Sequence, residues 1–220
     1  ISEWRMEESA GPTVYDSVGE NDGTAGIGVH FGVSGPPSLG NAVLFDGNAG
    51  TNGDGAINVD ATPFNFDIQD SYTVAGWVKT TDADNVGLVT RYRGMNGWFL
   101  AMHGNGHLYG QIQELGGAGY VYQYSQATIN NGQWRHFAMT YTGVEEGFFP
   151  GTSNIKLYID GSLAASDGGA DGTVHTTADF DVSEWPLGIG RRTWGAVPGY
   201  QEVTWFLEGA MDQVAIYNTA

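Results

Sequence analysis

The chain has 220 residues, 41% hydrophobic and 13% aromatic, with 35 glycines. That composition supplies a sizeable core and argues against disorder, and the length suits one all-β domain. A formal charge of −17 with only two lysines, Lys79 and Lys156, excludes a surface built to grip nucleic acid or an anionic membrane, because both need clustered Lys and Arg.

Strand patterns bounded by turn residues recur along the chain. They begin with NAVLFDG (41–47), AINVD (56–60), SYTVAGWVKT (71–80), VGLVTRY (86–92) and GWFLAMHG (97–104). HLYGQIQEL (107–115), YVYQYSQATI (120–129) and QWRHFAMTYTG (133–143) follow. NIKLYIDG (154–161), WPLGIGRR (185–192) and AMDQVAIYN (210–218) complete the set. Eleven or more short strands without an amphipathic helix predict an antiparallel β-sandwich of jelly-roll type. No linker or repeat divides the chain, so residues 1–220 read as one domain.

Two hairpins can be given a register. Asn105-Gly106 predicts a two-residue turn, pairing Met102 with Tyr109, Leu100 with Gln111 and Trp98 with Gln113. A two- or four-residue turn in LGGAGY pairs Gln113 with Tyr122 and Gln111 with Tyr124. One face then carries the rows Trp98–Gln113–Tyr122, Leu100–Gln111–Tyr124 and Met102–Tyr109–Gln126. The other carries Phe99, Ala101, Leu108, Ile112, Val121 and Ala127. The second face reads as core. The first mixes rings with primary amides, which are costly to bury unpaired. It is either a surface for a ligand or a sheet rim whose tyrosine hydroxyls reach water. Sugars suit it, since pyranose C–H faces stack on rings while hydroxyls bond amides. A three- or five-residue turn would flip a strand and change the set.

The order of motifs resembles the laminin-G-like, concanavalin A-like jelly rolls of bacterial secreted proteins. WRMEESAG (4–11), DSVGENDGT (16–24), VLFDG (43–47) and YTVAGWVKT (72–80) resemble that family's first half. NNGQWRHFAMTYTG (130–143), LYIDG (157–161) and FLEGAMDQVAIYN (206–218) resemble its closing strands. The resemblance implies a calcium-stabilised, lectin-like accessory domain, binding carbohydrate or another protein within a larger extracellular protein. The lack of cysteine suits a secreted bacterial domain in which calcium replaces disulfides. The absence of a basic-then-apolar leader at Ile1 reads as a piece of such a protein, its export signal absent or removed.

Asp16, Asn21 and Asp22 lie within seven residues, among glycines that let carbonyls turn inward. They form either a calcium loop or an Asx-rich turn. The resemblance adds Glu8 and Asp212 as metal ligands. Arg91, Arg93, Arg191 and Arg192 stand out in an acidic chain, either as ion-pair partners or as readers of an anionic polysaccharide. Segments 144–153 and 191–205 are longer than the family pattern, and long loops often carry recognition. The predicted ligand set is Trp98, Gln111, Gln113, Tyr122 and Tyr124 on the sheet, with Arg191, Trp194 and Tyr200 from the second loop. Trp77 and Trp134 read as core. No Glu-x-Asp-x-x-Glu run of a retaining glycosidase and no serine elbow occurs. GQIQE (110–114) has Gln113 where the similar strand of jelly-roll alginate lyases has histidine. The expectation is a non-catalytic glycan-binding module, with a protein-binding adhesion domain and a polysaccharide-cleaving enzyme as alternatives.

Overall fold

The structure, a computed structural model, describes residues 1–48, 55–60, 62–93, 96–114, 119–145, 147–172, 186–194 and 203–220. Period-two burial organises it. Along β7 (Tyr72–Lys79), Tyr72, Val74, Gly76 and Val78 turn inward, while Thr73, Ala75 and Trp77 turn out and are only partly buried.

Two antiparallel sheets face each other across one core. The first runs β14 (Ser162–Leu163), β13 (Ile155–Ile159), β12 (Arg135–Tyr141), β7, β19 (Glu208–Tyr217), β5 (Asn41–Asp46) and β4 (Val29–Ser34). β1 (Ser2–Trp4) pairs with β19, which joins the two ends of the chain. The second runs β15 (Ala165–Gly172), β11 (Gly119–Thr128), β10 (His107–Gln113), β9 (Asn96–Met102) and β8 (Val86–Arg93). It continues through β16 (Leu187–Ile189), β6 (Ile57–Val59), β3 (Gly23–Ala25) and β2 (Thr13–Val14). A separate ribbon of β17 (Arg191–Trp194) and β18 (Val203–Phe206) packs along β8. The expected β-sandwich is the observed fold.

Sheet-to-sheet closeness depends on Gly110. A Cβ there would lie 2.6 Å from the Met139 sulfur and 3.1 Å from Leu157 of the opposite layer. Its strand neighbours Leu108 and Ile112 fill the same interior, and Tyr109, Gln111 and Gln113 point away from it.

The first predicted hairpin is out of register by one residue. His103 N–H donates to the His107 carbonyl at 2.9 Å and Gly106 N–H to the His103 carbonyl at 2.7 Å. Gly104, Asn105 and Gly106 therefore form a three-residue loop, with Gly106 at φ +86°, a conformation that glycine adopts without a Cβ clash. Trp98 consequently pairs with Ile112, not Gln113, and Gln111 with Phe99. A one-residue slip exchanges the faces of β9. Trp98 is 1% exposed, packs 5.4 Å from Tyr72 and 6.0 Å from Phe66, and donates its indole N–H to the Phe64 carbonyl at 3.1 Å. It is a core residue, as are Leu100 and Met102, and Phe99 and Ala101 move to the outer face.

The second hairpin differs from its predicted register by two residues, which preserves the faces. Gln113 pairs with Tyr120, Gln111 with Tyr122 and Tyr109 with Tyr124. The tyrosines thus remain beside the glutamines on the outer side of the nine-stranded sheet.

Candidate functional site

That outer side forms a basin of about 500 Å³ lined by Asn85, Tyr92, His103, Tyr109, Gln111, Gln113, Tyr120, Tyr122, Tyr124, Arg192 and Trp205. Its floor is a hydrogen-bonded amide network. Gln111 Nε2 donates to Gln113 Oε1 at 2.8 Å, and the hydroxyls of Tyr109 and Tyr92 donate to Gln111 Oε1 and Gln113 Oε1. The network fixes which way each amide points. Burying these two glutamines is tolerable because their carbonyl oxygens are occupied.

Rings form the walls. Tyr109 and Tyr124 stack at 4.5 Å and 10°, and Tyr122 meets them edge-on at 5.9 and 5.5 Å. Tyr120 stacks on Tyr122 at 5.8 Å, and His103 meets Tyr124 edge-on at 5.6 Å. Tyr120, Tyr122 and Tyr124 are partly exposed, so their rings offer surface to solvent. Burial raises the phenol pKa values of Tyr92, Tyr109 and Tyr124, which keeps these groups neutral donors.

The ribbon closes one side. Gly87 admits it, since a Cβ there would lie 2.1 Å from the Arg191 carbonyl carbon. Thr90 Oγ1 donates to the Arg191 carbonyl at 2.8 Å and fixes its height over β8. Neighbouring residues of a strand point to opposite sides, and it is Arg192, not Arg191, that enters the basin. Its guanidinium lies 3.9 Å from the Phe99 ring centroid, 4.1 Å from Trp205 and 4.8 Å from Tyr92. Cation–π contact of this kind strengthens when desolvated. Burial lowers the pKa of Arg192, and interactions with Tyr92, Tyr109 and Tyr124 oppose that shift.

Of the predicted ligand set, the structure brings together Gln111, Gln113, Tyr122 and Tyr124. Trp98 lies beneath them in the core. Arg191 is buried against Gly188, away from the basin lining. Trp194 falls in β17 and pairs with Val203, with its side chain outside the described features, and Tyr200 lies outside the described residues. Arg91 is buried, with Asp60 the charge acting on it. Tyr92, Tyr109, Tyr120 and Trp205 join the site without having been selected, and Arg192, weighed in the sequence beside Arg191, takes the place given to Arg191. For Tyr109 and Tyr120 the signal was present, since period two places them with Gln111 and Tyr122.

The acidic N-terminal turn is bound by its own backbone. Asp16 Oδ1 accepts N–H groups of Glu3, Val18 and Gly19 at 3.0, 3.1 and 2.9 Å, and Oδ2 accepts that of Asn21 at 3.2 Å. Burial acts to raise this carboxyl, but hydrogen bonds from Gly19, Ser2, Glu3 and Val18 outweigh it and hold it at about 2. Asp22 caps the Asp16 N–H at 2.8 Å, and the Asn21 amide donates to Ser2 at 2.9 Å. Glu8 Oε1 accepts the Tyr15 N–H at 2.8 Å. Among the described residues, no three His, Asp or Glu side chains gather to hold a metal.

Asp212 keeps different company. It is fully buried, Oδ1 accepts the Gln213 N–H at 2.8 Å, and Oδ2 has no hydrogen-bond partner. That Oδ2 and the carbonyl oxygens of Gly40 and Asn41 converge on the point where Gly35 lacks a Cβ, at 3.2, 2.9 and 2.9 Å. The Glu7 carboxylate lies against Gly40 and accepts the Asn41 N–H at 2.9 Å. Burial first, and the Glu7 charge after it, push the Asp212 carboxyl up to about 7 despite the Gln213 bond. A desolvated carboxylate beside two carbonyls and a second carboxylate fits a hard cation.

Residues 50–220 match the sequence profile of the concanavalin A-like lectin/glucanases superfamily, and the chain belongs to that family. No curated protein matches the sequence significantly. Among solved structures, the chain resembles a botulinum neurotoxin type C whose cell entry depends on interaction with two ganglioside molecules. That match has a TM-score of 0.57 at 10% identity over 100% of this chain and 47% of the toxin chain. The binding domain of botulinum neurotoxin DC in complex with SialylT gives 0.57 at 9% identity, over 97% and 49% of the two chains. The same domain with rat synaptotagmin II gives 0.57 at 11%, over 100% and 48%. The chain thus spans about half the length of these structures, and the likeness is one of fold. Among the described residues, no helix is long and apolar enough to cross a membrane.

Proposed function

We propose that this chain is a non-catalytic carbohydrate-binding module that attaches a larger secreted bacterial protein, an enzyme or an adhesin, to a polysaccharide. The observation that carries it is the basin of half-exposed tyrosines over an ordered amide floor, on a sheet face left outside the sandwich. Sugar rings stack on Tyr120, Tyr122 and Tyr124. Gln113 Nε2, which donates to no protein acceptor among the described residues, is available for hydroxyls. The ganglioside dependence of one structural neighbour and the SialylT complex of another support a glycan ligand through likeness of fold alone.

Calcium is part of the proposal. Asp212 and Glu7 would hold it with the Gly40 and Asn41 carbonyls, bracing the loop before β5 against the last strand. The cation would supply positive charge that offsets the buried carboxylate, and no step of glycan recognition passes through it.

A glycan array, run with and without chelator, tests the reading. Retention of one glycan class, weakened in Tyr122→Ala with only a small fall in melting temperature, supports it. No retention of any glycan refutes it. New reducing ends or unsaturated products in the same incubation would move the chain to the cleaving enzymes of its superfamily. Chelation lowers the melting temperature if the metal is bound, and an unchanged value refutes the metal.

A protein-binding adhesion domain is the second reading. It is favoured by an apolar groove on the other sheet, lined by Pro36, Pro37, Leu39, Trp77 and Trp134, and by the synaptotagmin complex of a neighbour.

A further inference from the structure

The floor of the basin has a direction. A guanidinium carries only donors, so in the hydrogen bond between Arg192 and Tyr92 the phenol oxygen accepts. The Tyr92 proton is then left to point at Gln113, and the amide atom that receives it is Oε1. The same oxygen accepts from Gln111 Nε2 at 2.8 Å, which turns Gln111 Oε1 to the Tyr109 hydroxyl. Each bond follows from the one before it, so a buried cation fixes the orientation of both amides without touching a ligand itself.

The outcome is a floor rich in donors and short of acceptors. Gln113 Oε1 takes two protons and Gln111 Oε1 a third. Gln113 Nε2 donates to no described residue, although Gln113 lines the basin and is only 7% exposed. A donor so deeply placed is costly to leave unpaired, and a ligand oxygen removes that cost. A sugar hydroxyl is an imperfect match, because it brings a proton of its own toward oxygens that already accept. A carbonyl oxygen has lone pairs and no proton. Sugars carry such oxygens in two forms, the neutral amide of an acetamido group and a carboxylate. Charge favours the amide: the chain is −17 overall, and past Trp205 and Asn85 the basin gives way to a cleft containing Asp82, Asp84 and Glu208. A secondary amide is planar and trans, so with its oxygen on the floor its N–H leaves in the opposite direction, and its methyl group meets the ring walls.

We infer that the basin selects a glycan bearing an acetamido group, whose carbonyl oxygen accepts from Gln113 Nε2 in the contact that sets the preference. The inference rests on the glycan-binding reading above and adds the substituent that the ligand carries.

A glycan array on the intact chain, followed by calorimetry with the retained glycan and two relatives of equal length, tests it. One relative has a hydroxyl in place of the acetamido group, and the other has that hydroxyl and one uronic acid. The retained glycans carry an acetamido group, and exchanging it for a hydroxyl weakens binding roughly 10- to 100-fold, the range for leaving a buried donor without a matched partner. Gln113→Glu keeps one oxygen for Tyr92 and Gln111 and puts a second where Nε2 stands, which cancels the preference for acetamido over hydroxyl. A preference that survives in this folded variant overturns the assignment to Gln113. The comparison of ligands on the unmodified chain stands even if Gln113→Glu does not fold. Retained glycans without an acetamido group, or equal affinity for the acetamido and hydroxyl forms, overturn the inference and leave the module reading intact. Tightest binding of the uronic acid form overturns the choice of a neutral group. Retention of no glycan removes both readings.

Discussion

The two sheets each carry aromatic residues on their outer faces, and the two sets are organised differently. On the nine-stranded sheet, five tyrosines surround two glutamines and an arginine, with ring hydroxyls and amides tied into one network. On the eight-stranded sheet, Trp77 meets the His136 ring edge-on at 5.3 Å beside Trp134, Pro36, Pro37 and Leu39, a mainly apolar groove whose polar side chains, those of Gln133, His136 and Asp160, are not hydrogen-bonded to one another as the basin's amides are. Burial of rings alone does not distinguish these faces. The polar groups held between the rings do, because they give the first face directional preferences and leave the second with area and shape.

Four measurements would break or sharpen that contrast. Trp98→Ala empties the core directly beneath the tyrosine basin and costs about 3–5 kcal/mol of stability, read by denaturant unfolding. A loss under about 1 kcal/mol would mean that the basin stands on something other than the packed interior. Acid separates the basin from the terminal strands. The Asp16 carboxyl is held low in the fold, so its stabilisation is complete above its ordinary pKa near 4 and disappears as pH falls through about 2. The contribution is roughly 2 kcal/mol. Asp16→Asn should lower stability at neutral pH and flatten that acid limb, and an unaltered limb would transfer the effect to another carboxylate. Tyr122→Ala weakens glycan binding about tenfold, near 1.4 kcal/mol, at a stability cost of about 1 kcal/mol for the lost ring contacts. Trp77→Ala, on the other sheet, changes glycan binding less than about twofold. Equal losses in these two variants would erase the distinction between the faces.

How much of this could be read from the residues depends on parity. The alternation of YVYQY and GQIQ placed Tyr122, Tyr124, Gln111 and Gln113 on one face, and an error of two residues in their pairing did no harm. The one-residue error at Gly104–Gly106 sent Trp98 to the wrong side. The strand GWFLAM offers no help, since both of its faces are apolar. Its partner fixes only its own face: Leu108 and Ile112 must face the core, and it is the three-residue loop that sets Trp98, Leu100 and Met102, rather than Phe99 and Ala101, beside them. Trp77, read as core, lies partly exposed on an outer face, because in β7 the smaller Val74 and Val78 take the interior, and Trp134, also read as core, lines the same groove beside it. The choice between Arg191 and Arg192 depended on how a ribbon 101 residues distant in sequence settles over Thr90, and Asp212 needed the loop around Gly35 to gain its surroundings. Such contacts leave no local pattern in a sequence.

Gly110 gives β10 a division of labour. Its missing side chain, with Leu108 and Ile112, commits one face of the strand to a close fit against Met139 and Leu157, whose side chains an added methyl would force to shift. Positions 109, 111 and 113 on the other face owe that fit nothing. Tyr109, Gln111 and Gln113 are joined by hydrogen bonds and so change as a set, and a single strand keeps what this architecture holds separate from how its two layers close.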